Sequence, residues 1–209
     1  LTADNVDSVL RGVSGIIIPG GFGGRGIEGM VSACQYAREN HIPFFGICLG
    51  MQIAVIEYAR DVLGWADANS GEFDEQSAHK VIDLMPDQQG NLPKGGTMRL
   101  GAYPCKVKKG TELFNAYGKE EVDERHRHRY EVNNEFRPQI EEKGVVFSGT
   151  SPDNHLVEAM ELPGYAFYVG VQFHPEFKSR PNKAHPLFRE FLKAASGFAS
   201  AGNATGKKG

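Results

Sequence analysis

The chain is poor in the features that tie a protein to a bilayer, a nucleic acid or an oxidising compartment. No apolar run in its 209 residues approaches the ~20 that a membrane-spanning helix needs. The opening residues, LTADNVDSVL, have neither the basic nor the apolar region of a secretory leader, so a cytoplasmic location is the expectation. A formal net charge of -3 provides no attraction to nucleic acid or anionic lipid, and neither is expected as a partner. The only three cysteines, Cys34, Cys48 and Cys105, are an odd number without zinc-like spacing, which argues against a disulfide framework and a cysteine-rich metal site. At least one thiol is free. No internal repeat is evident, and the composition, 40 % hydrophobic and 23 % charged, suits one sizeable soluble core.

What is present is an alternation of elements. In VSGIIIPGG three consecutive isoleucines leave no polar face and predict a buried strand, ended by Pro19, Gly20 and Gly21. Residues 29–40, GMVSACQYAREN, put Met30, Ala33, Cys34 and Ala37 on one side of a helix, and IPFFGI supplies the next buried strand. MQIAVIEYARDVLG continues as a helix closed by Gly64. This order predicts an α/β fold with an open, mostly parallel sheet flanked by helices, its loops gathered at one sheet edge. The middle, DLMPDQQGNLPKGGTMRLGAYPCKV, reads as hairpin and loop with short extended pieces at 98–100 and 103–107. GVVFSGTSP, LVEAMEL and AFYVGVQFH read as strands, the first two short enough for a meander, and HPLFREFLKAAS as a closing helix. The domain is thus expected over residues 1–196, with 197–209, GFASAGNATGKKG, a flexible tail.

Three segments carry chemistry. In GICLG, Cys48 sits between Gly46 and Gly50 at a strand-to-helix junction, the spacing of an elbow that lifts a nucleophile clear of the backbone. At the start of a helix its thiolate would be favoured by the dipole and the unpaired N–H groups. The plainer reading is a turn holding a buried cysteine. In VQFHPEF a strand ends in His174, a candidate base, with Glu176 two residues on to orient the imidazole and stabilise its cation. Taken alone, His174 is an ordinary hydrogen-bonded edge histidine and Glu176 a solvated charge. Oxyanion donors are available from the N–H of Leu49 and from Gly20 and Gly21 in PGGFG. A phosphate loop is the rival reading of GGFGGRG, which lacks the Lys-Ser/Thr pair that such loops carry. If ERHRHRYEVN is extended, Arg125, Arg127 and Arg129 share one face and His126 and His128 the other. Two alternating histidines are a weak metal signal and a basic solvated strand the ordinary alternative, while one arginine is suited to a bidentate grip on a carboxylate. Glu72, in SGEFDEQ, could match it by holding an ammonium, although alone it is a loop acid.

With GICLGMQ, FHPEF and PGGFG assembled, the chain resembles the class I glutamine amidotransferases. PGGFGGRG, SGEFD, GGTMRLGAYPC and ERHRHRYEVNN narrow the resemblance to the glutaminase domains of the CTP synthase family, over residues 1 to about 196. The resemblance implies Cys48 as nucleophile, His174 as base and Glu176 as its orienting acid. It implies Gly21, Leu49, Gly50, Met51 and Gln52 as the lining of a glutamine pocket and oxyanion site, with Glu72 and Arg129 holding the α-amino and α-carboxylate groups. It implies no cofactor or metal in this chain: ATP, UTP and magnesium would belong to a separate synthetase domain, and GTP would act as effector of the full enzyme. L-glutamine, that synthetase domain and further copies in a tetramer are the implied partners. The family's opening strand-helix-strand portion is expected to be missing ahead of Leu1. Two rivals stand beside this reading: a stand-alone cysteine hydrolase of γ-glutamyl amides, and a catalytically silent regulatory module.

Overall fold

The computed structural model describes residues 1–84 and 98–205, with the backbone alone for 202–205. After a short helix α1 (Val6–Leu10), strand β1 (Ile16–Ile18) leads through helix α2 (Ile27–Glu39) to strand β2 (Phe44–Ile47) and helix α3 (Leu49–Asp61). β1 and β2 are parallel, and β2 pairs in parallel on its other side with β10 (Tyr168–Val171). Parallel neighbours need a crossover, and α2 provides the first one. The last residues of the three strands are in register, Ile18 with Gly46 and Ile47 with Val171. The segments leaving the three strands therefore emerge at one place: Gly20 and Gly21 after β1, Cys48 after β2, and residues 172–176 after β10.

The other half of the sheet corrects the expectation of mostly parallel strands. β5 (Arg99–Val107), β6 (Glu121–His128), β8 (Val146–Thr150) and β9 (Val157–Glu161) pair antiparallel, giving one seven-stranded mixed sheet in the order β1-β2-β10-β9-β8-β5-β6. The connections β8–β9 and β9–β10 are short, and short links between neighbours turn the chain back on itself, while β5 returns to β6 through a longer link that carries helix α4 (Glu112–Tyr117). The two extended pieces expected at 98–100 and 103–107 are one continuous strand, while 85–97 of that predicted loop lies outside the described residues. A second sheet of three short strands, β3 (Asn69–Ser70), β4 (Lys80–Asp83) and β7 (Glu131–Val132), stands beside α3.

Side chains of the sheet alternate between two apolar layers. Phe44 and Tyr168 face α2 and α3, whereas Phe45, Val169 and Val171 face α4 (Glu112–Tyr117) and α6 (Pro186–Thr205). α5 (Arg137–Glu142) adds Ile140 to the first layer. α3 is buried on every side from Leu49 to Ala59 because it packs against both sheets and α2, which its near-continuous apolar sequence permits. Gly64, with φ +78°, follows the end of that helix as read from the sequence. Two local expectations fail. Ile17 is 42 % exposed because β1 is the sheet's terminal strand. The segment 197–205 is helical, since α6 runs on to Thr205 and Phe198 packs on the first layer.

Candidate active site

The site begins at the elbow. Cys48 has φ 51° and ψ -101°, a strained conformation for a residue with a side chain, and its N–H donates to the carbonyl of Val171 at 2.7 Å, fastening the turn to β10. The flanking glycines are required by contact: a Cβ on Gly46 would meet the Gly50 carbonyl at 2.6 Å, and one on Gly50 would meet the carbonyl oxygen of Ile18 at 2.1 Å. The strained turn is possible only because two side chains are missing.

Beside it, a Cβ on Gly20 would stand 2.7 Å from His174 Cε1 and 3.6 Å from Cys48 Cβ. The cysteine and the imidazole therefore flank one glycine, although 126 positions separate them in sequence. His174 Nδ1 lies 2.6 Å from Glu176 Oε1, its ring stacks on Phe177, and its Nε2 is buried with no hydrogen-bond partner among the described residues. Burial alone would raise the Glu176 carboxyl, but the bond to His174, joined by the residue's own backbone N–H, outweighs it and holds the group below its ordinary value.

The thiol differs from its sequence reading. Cys48 is 3 % exposed rather than open at the loop edge, and burial pushes its pKa up to about 12. The Leu49 N–H pulls the other way, while Glu131, Glu176 and Glu72 add to the rise. Burial first, and then the three carboxylates, outweigh the start of α3 and favour the thiol over the thiolate.

A cavity of about 100 Å³ opens beside that sulfur. Gly21, Cys48, Gln52, Glu72 and Arg129 line it; Phe22, Met98, His128 and Tyr130 complete it. Leu49, Gly50 and Met51 do not. Leu49 lies against Gly21 with its N–H near the sulfur, Gly50 is pressed on β1, and Met51 is fully buried against Gly170. Glu72 Oε1 accepts the Gly23 N–H at 3.2 Å, tying the glycine loop to the cavity.

The alternating histidines do not lie on a solvated face. Arg125 and Arg127 are exposed, but His126 and His128 are buried and joined Nδ1 to Nε2 at 2.8 Å. Burial, and then Arg99, push them down to about 2 and about 3, so both are neutral. His128 Nδ1 faces the Tyr130 carbonyl at 3.2 Å and must donate there. Arg99, buried, donates to Glu158 at 2.8 Å and to Glu131 at 3.2 Å. This polar cluster behind the cavity escaped the sequence because its members lie on four different strands. Among the described residues no group of three or more His, Cys, Asp or Glu is placed to hold a metal ion, and no helix is long and apolar enough to cross a membrane.

An elbow cysteine beside a histidine-carboxylate pair, at the ends of parallel strands, defines a class. A family model described as Glutamine amidotransferase class-I matches residues 2–194, and the chain belongs to that family. Within it the similarity is to CTP synthase. The Clostridium acetobutylicum CTP synthase is 62 % identical over 195 residues, which cover 93 % of this chain and 36 % of that protein. The Pelotomaculum thermopropionicum CTP synthase is 59 % identical over 191 residues, 91 % of this chain and 36 % of the relative. The chain thus spans little more than a third of the curated relatives it matches. A solved structure, the Trypanosoma brucei CTPS glutaminase domain with bound acivicin, is 42 % identical with a TM-score of 0.88, covering 92 % of this chain and 75 % of that one.

Proposed function

We propose that this chain hydrolyses L-glutamine to glutamate and ammonia through Cys48, His174 and Glu176, as the glutaminase part of a CTP-forming enzyme. The observation that carries the reading is the pairing across Gly20 of a strained cysteine with an imidazole already held by a carboxylate. Because the thiol is favoured over the thiolate, its proton leaves as attack begins. His174 Nε2 takes that proton while sulfur bonds to the side-chain amide carbon of glutamine. The N–H groups of Leu49 and Gly21 serve the developing oxyanion. His174 then gives the proton to the departing nitrogen, ammonia leaves, and water cleaves the remaining thioester to glutamate and free thiol.

Glu72 and Arg129, both at the cavity, suit the ammonium and carboxylate of an amino acid. A relative that holds acivicin, a glutamine analogue, in this fold agrees with that choice. The ammonia would feed a separate ATP- and magnesium-dependent synthetase domain that converts UTP to CTP in a cytoplasmic tetramer under GTP control. That the relatives are about two and a half times this chain's length accords with a further domain.

The test is incubation with a glutamine-like electrophile followed by mass mapping. Labelling is expected at Cys48, blocked by glutamine, and weakened in Arg129→Ala. Labelling at Cys34 or Cys105 instead would overturn the assignment, and glutamine turnover unchanged in Arg129→Ala would remove the amino-acid grip.

A further inference from the structure

The VQFHPEF segment holds one polar side chain that the triad does not use. Gln172, between β10 and His174, is fully buried, and a buried amide must place two donors and an acceptor. Its neighbour is Gln52, 3 % exposed in the first turn of α3. Gln52 Nε2 donates to the Tyr130 carbonyl at 3.0 Å. A carbonyl only accepts, so this bond fixes which end of the Gln52 amide is nitrogen. The same nitrogen lies 3.1 Å from Gln172, which must answer with its Oε1. Gln172 Nε2 is thereby turned to the opposite side, 3.6 Å from Cys48 Sγ. One backbone carbonyl, also bonded by His128, sets the direction of a chain that ends on sulfur.

We propose that Gln172 is a catalytic hydrogen-bond donor to the Cys48 sulfur, with Gln52 as the positioning residue that aims it. The proposal rests on the reading of Cys48 as nucleophile. An amide N–H binds a thiolate more strongly than a thiol, so the bond strengthens as the proton leaves and helps the step that burial opposes. The groups facing the sulfur leave few other sources of help. From the loop before β4 comes Glu72, from β7 Glu131, from the segment after β10 Glu176 and His174, and beside the cavity Arg129 and neutral His128. The Leu49 N–H also favours the charged form of the sulfur.

The test is the pH profile of Cys48 alkylation by iodoacetamide in the 209-residue chain, measured after pH jumps short enough to precede unfolding, with the site read by mass mapping. Gln172→Met should move the profile up by about one pH unit, or about tenfold slower alkylation below the midpoint, the effect of one charge-assisted hydrogen bond. Gln52→Met, which touches no sulfur but frees the amide to turn, should move it in the same direction by less. The double variant should move it no further than Gln172→Met. An altered access route would scale the rates without displacing the profile. A profile undisplaced in both variants overturns the proposal while leaving Cys48 as nucleophile, and if Gln172→Met does not fold, an undisplaced Gln52→Met profile overturns it equally. A wild-type chain that never alkylates at Cys48 removes the nucleophile and this proposal together.

Discussion

At Gly50 the absence of a single methyl group keeps the elbow in place. A Cβ there would come within 2.1 Å of the Ile18 carbonyl oxygen, which is backbone of the neighbouring strand and cannot rotate away. Gly50→Ala should therefore cost about 3 kcal/mol or more, because the sheet or the helix must shift. The measurement is urea denaturation, with Gly24→Ala as control. A Cβ at Gly24 meets nothing within 4 Å, and that variant should stay within about 0.5 kcal/mol of the parent. Equal midpoints for the two variants would mean that α3 is not pressed against β1. The glycine-x-cysteine-x-glycine spacing was readable in the sequence, as was its cause. The raised pKa of the thiol was not, because it depends first on burial by surrounding elements and then on carboxylates from three distant segments.

Between elements, α2 and α3 are held by a buried ion pair. Arg38 of α2 donates to Glu57 of α3 at 2.7 and 2.9 Å, and also reaches Asp61 at 2.8 Å. Burial raises the Glu57 carboxyl to about 7 from an ordinary 4.5, with Arg38 offsetting part of the rise. A carboxyl raised in the folded state holds its proton more tightly there than when unfolded. Its contribution is full below the ordinary value of 4.5 and is lost as pH rises through about 7. Thermal melts across that window should show stability declining toward neutral pH from this group. Glu57→Gln should flatten the dependence, with Arg38 still paired to Asp61, and an unchanged slope would assign it elsewhere. α6 shows the opposite limit of local reading. Its last residues, GFASAGNAT, are small enough to pass for a tail, yet Phe198 finds a surface to cover and the helix continues. A termination before residue 197 should lower the melting temperature by several degrees, as expected for about 1–2 kcal/mol of lost burial.

Across the whole molecule, Arg99 ties the two sheets together. It lies on β5 of the large sheet, binds Glu158 on β9 of that sheet, and binds Glu131 on β7 of the small one. Removing it takes the cation from the buried Glu158 carboxylate, a loss of about 3–5 kcal/mol. Arg99→Met should therefore unfold more readily at neutral pH and recover part of the difference as pH falls, because burial already raises the Glu158 carboxyl and a protonated carboxyl needs no cation. A deficit independent of pH would point to lost packing instead. Because β7 is joined by a short link to Arg129 and Tyr130, the same variant should disturb the cavity wall.

The sequence by itself determined the strand-helix alternation, the elbow, the histidine-carboxylate pair and the resemblance that joined them, because each is local: periodicity, glycine spacing and motif order survive without coordinates. Tertiary structure alone decided that the sheet is mixed, that Leu49, Gly50 and Met51 stand outside the cavity, and that the sulfur is buried with its pKa raised. It also decided that a carbonyl, two glutamines and a cysteine form one directed chain. Those outcomes depend on which segments meet in space, and solvent exclusion and electrostatic coupling act between neighbours in space whatever their distance along the chain.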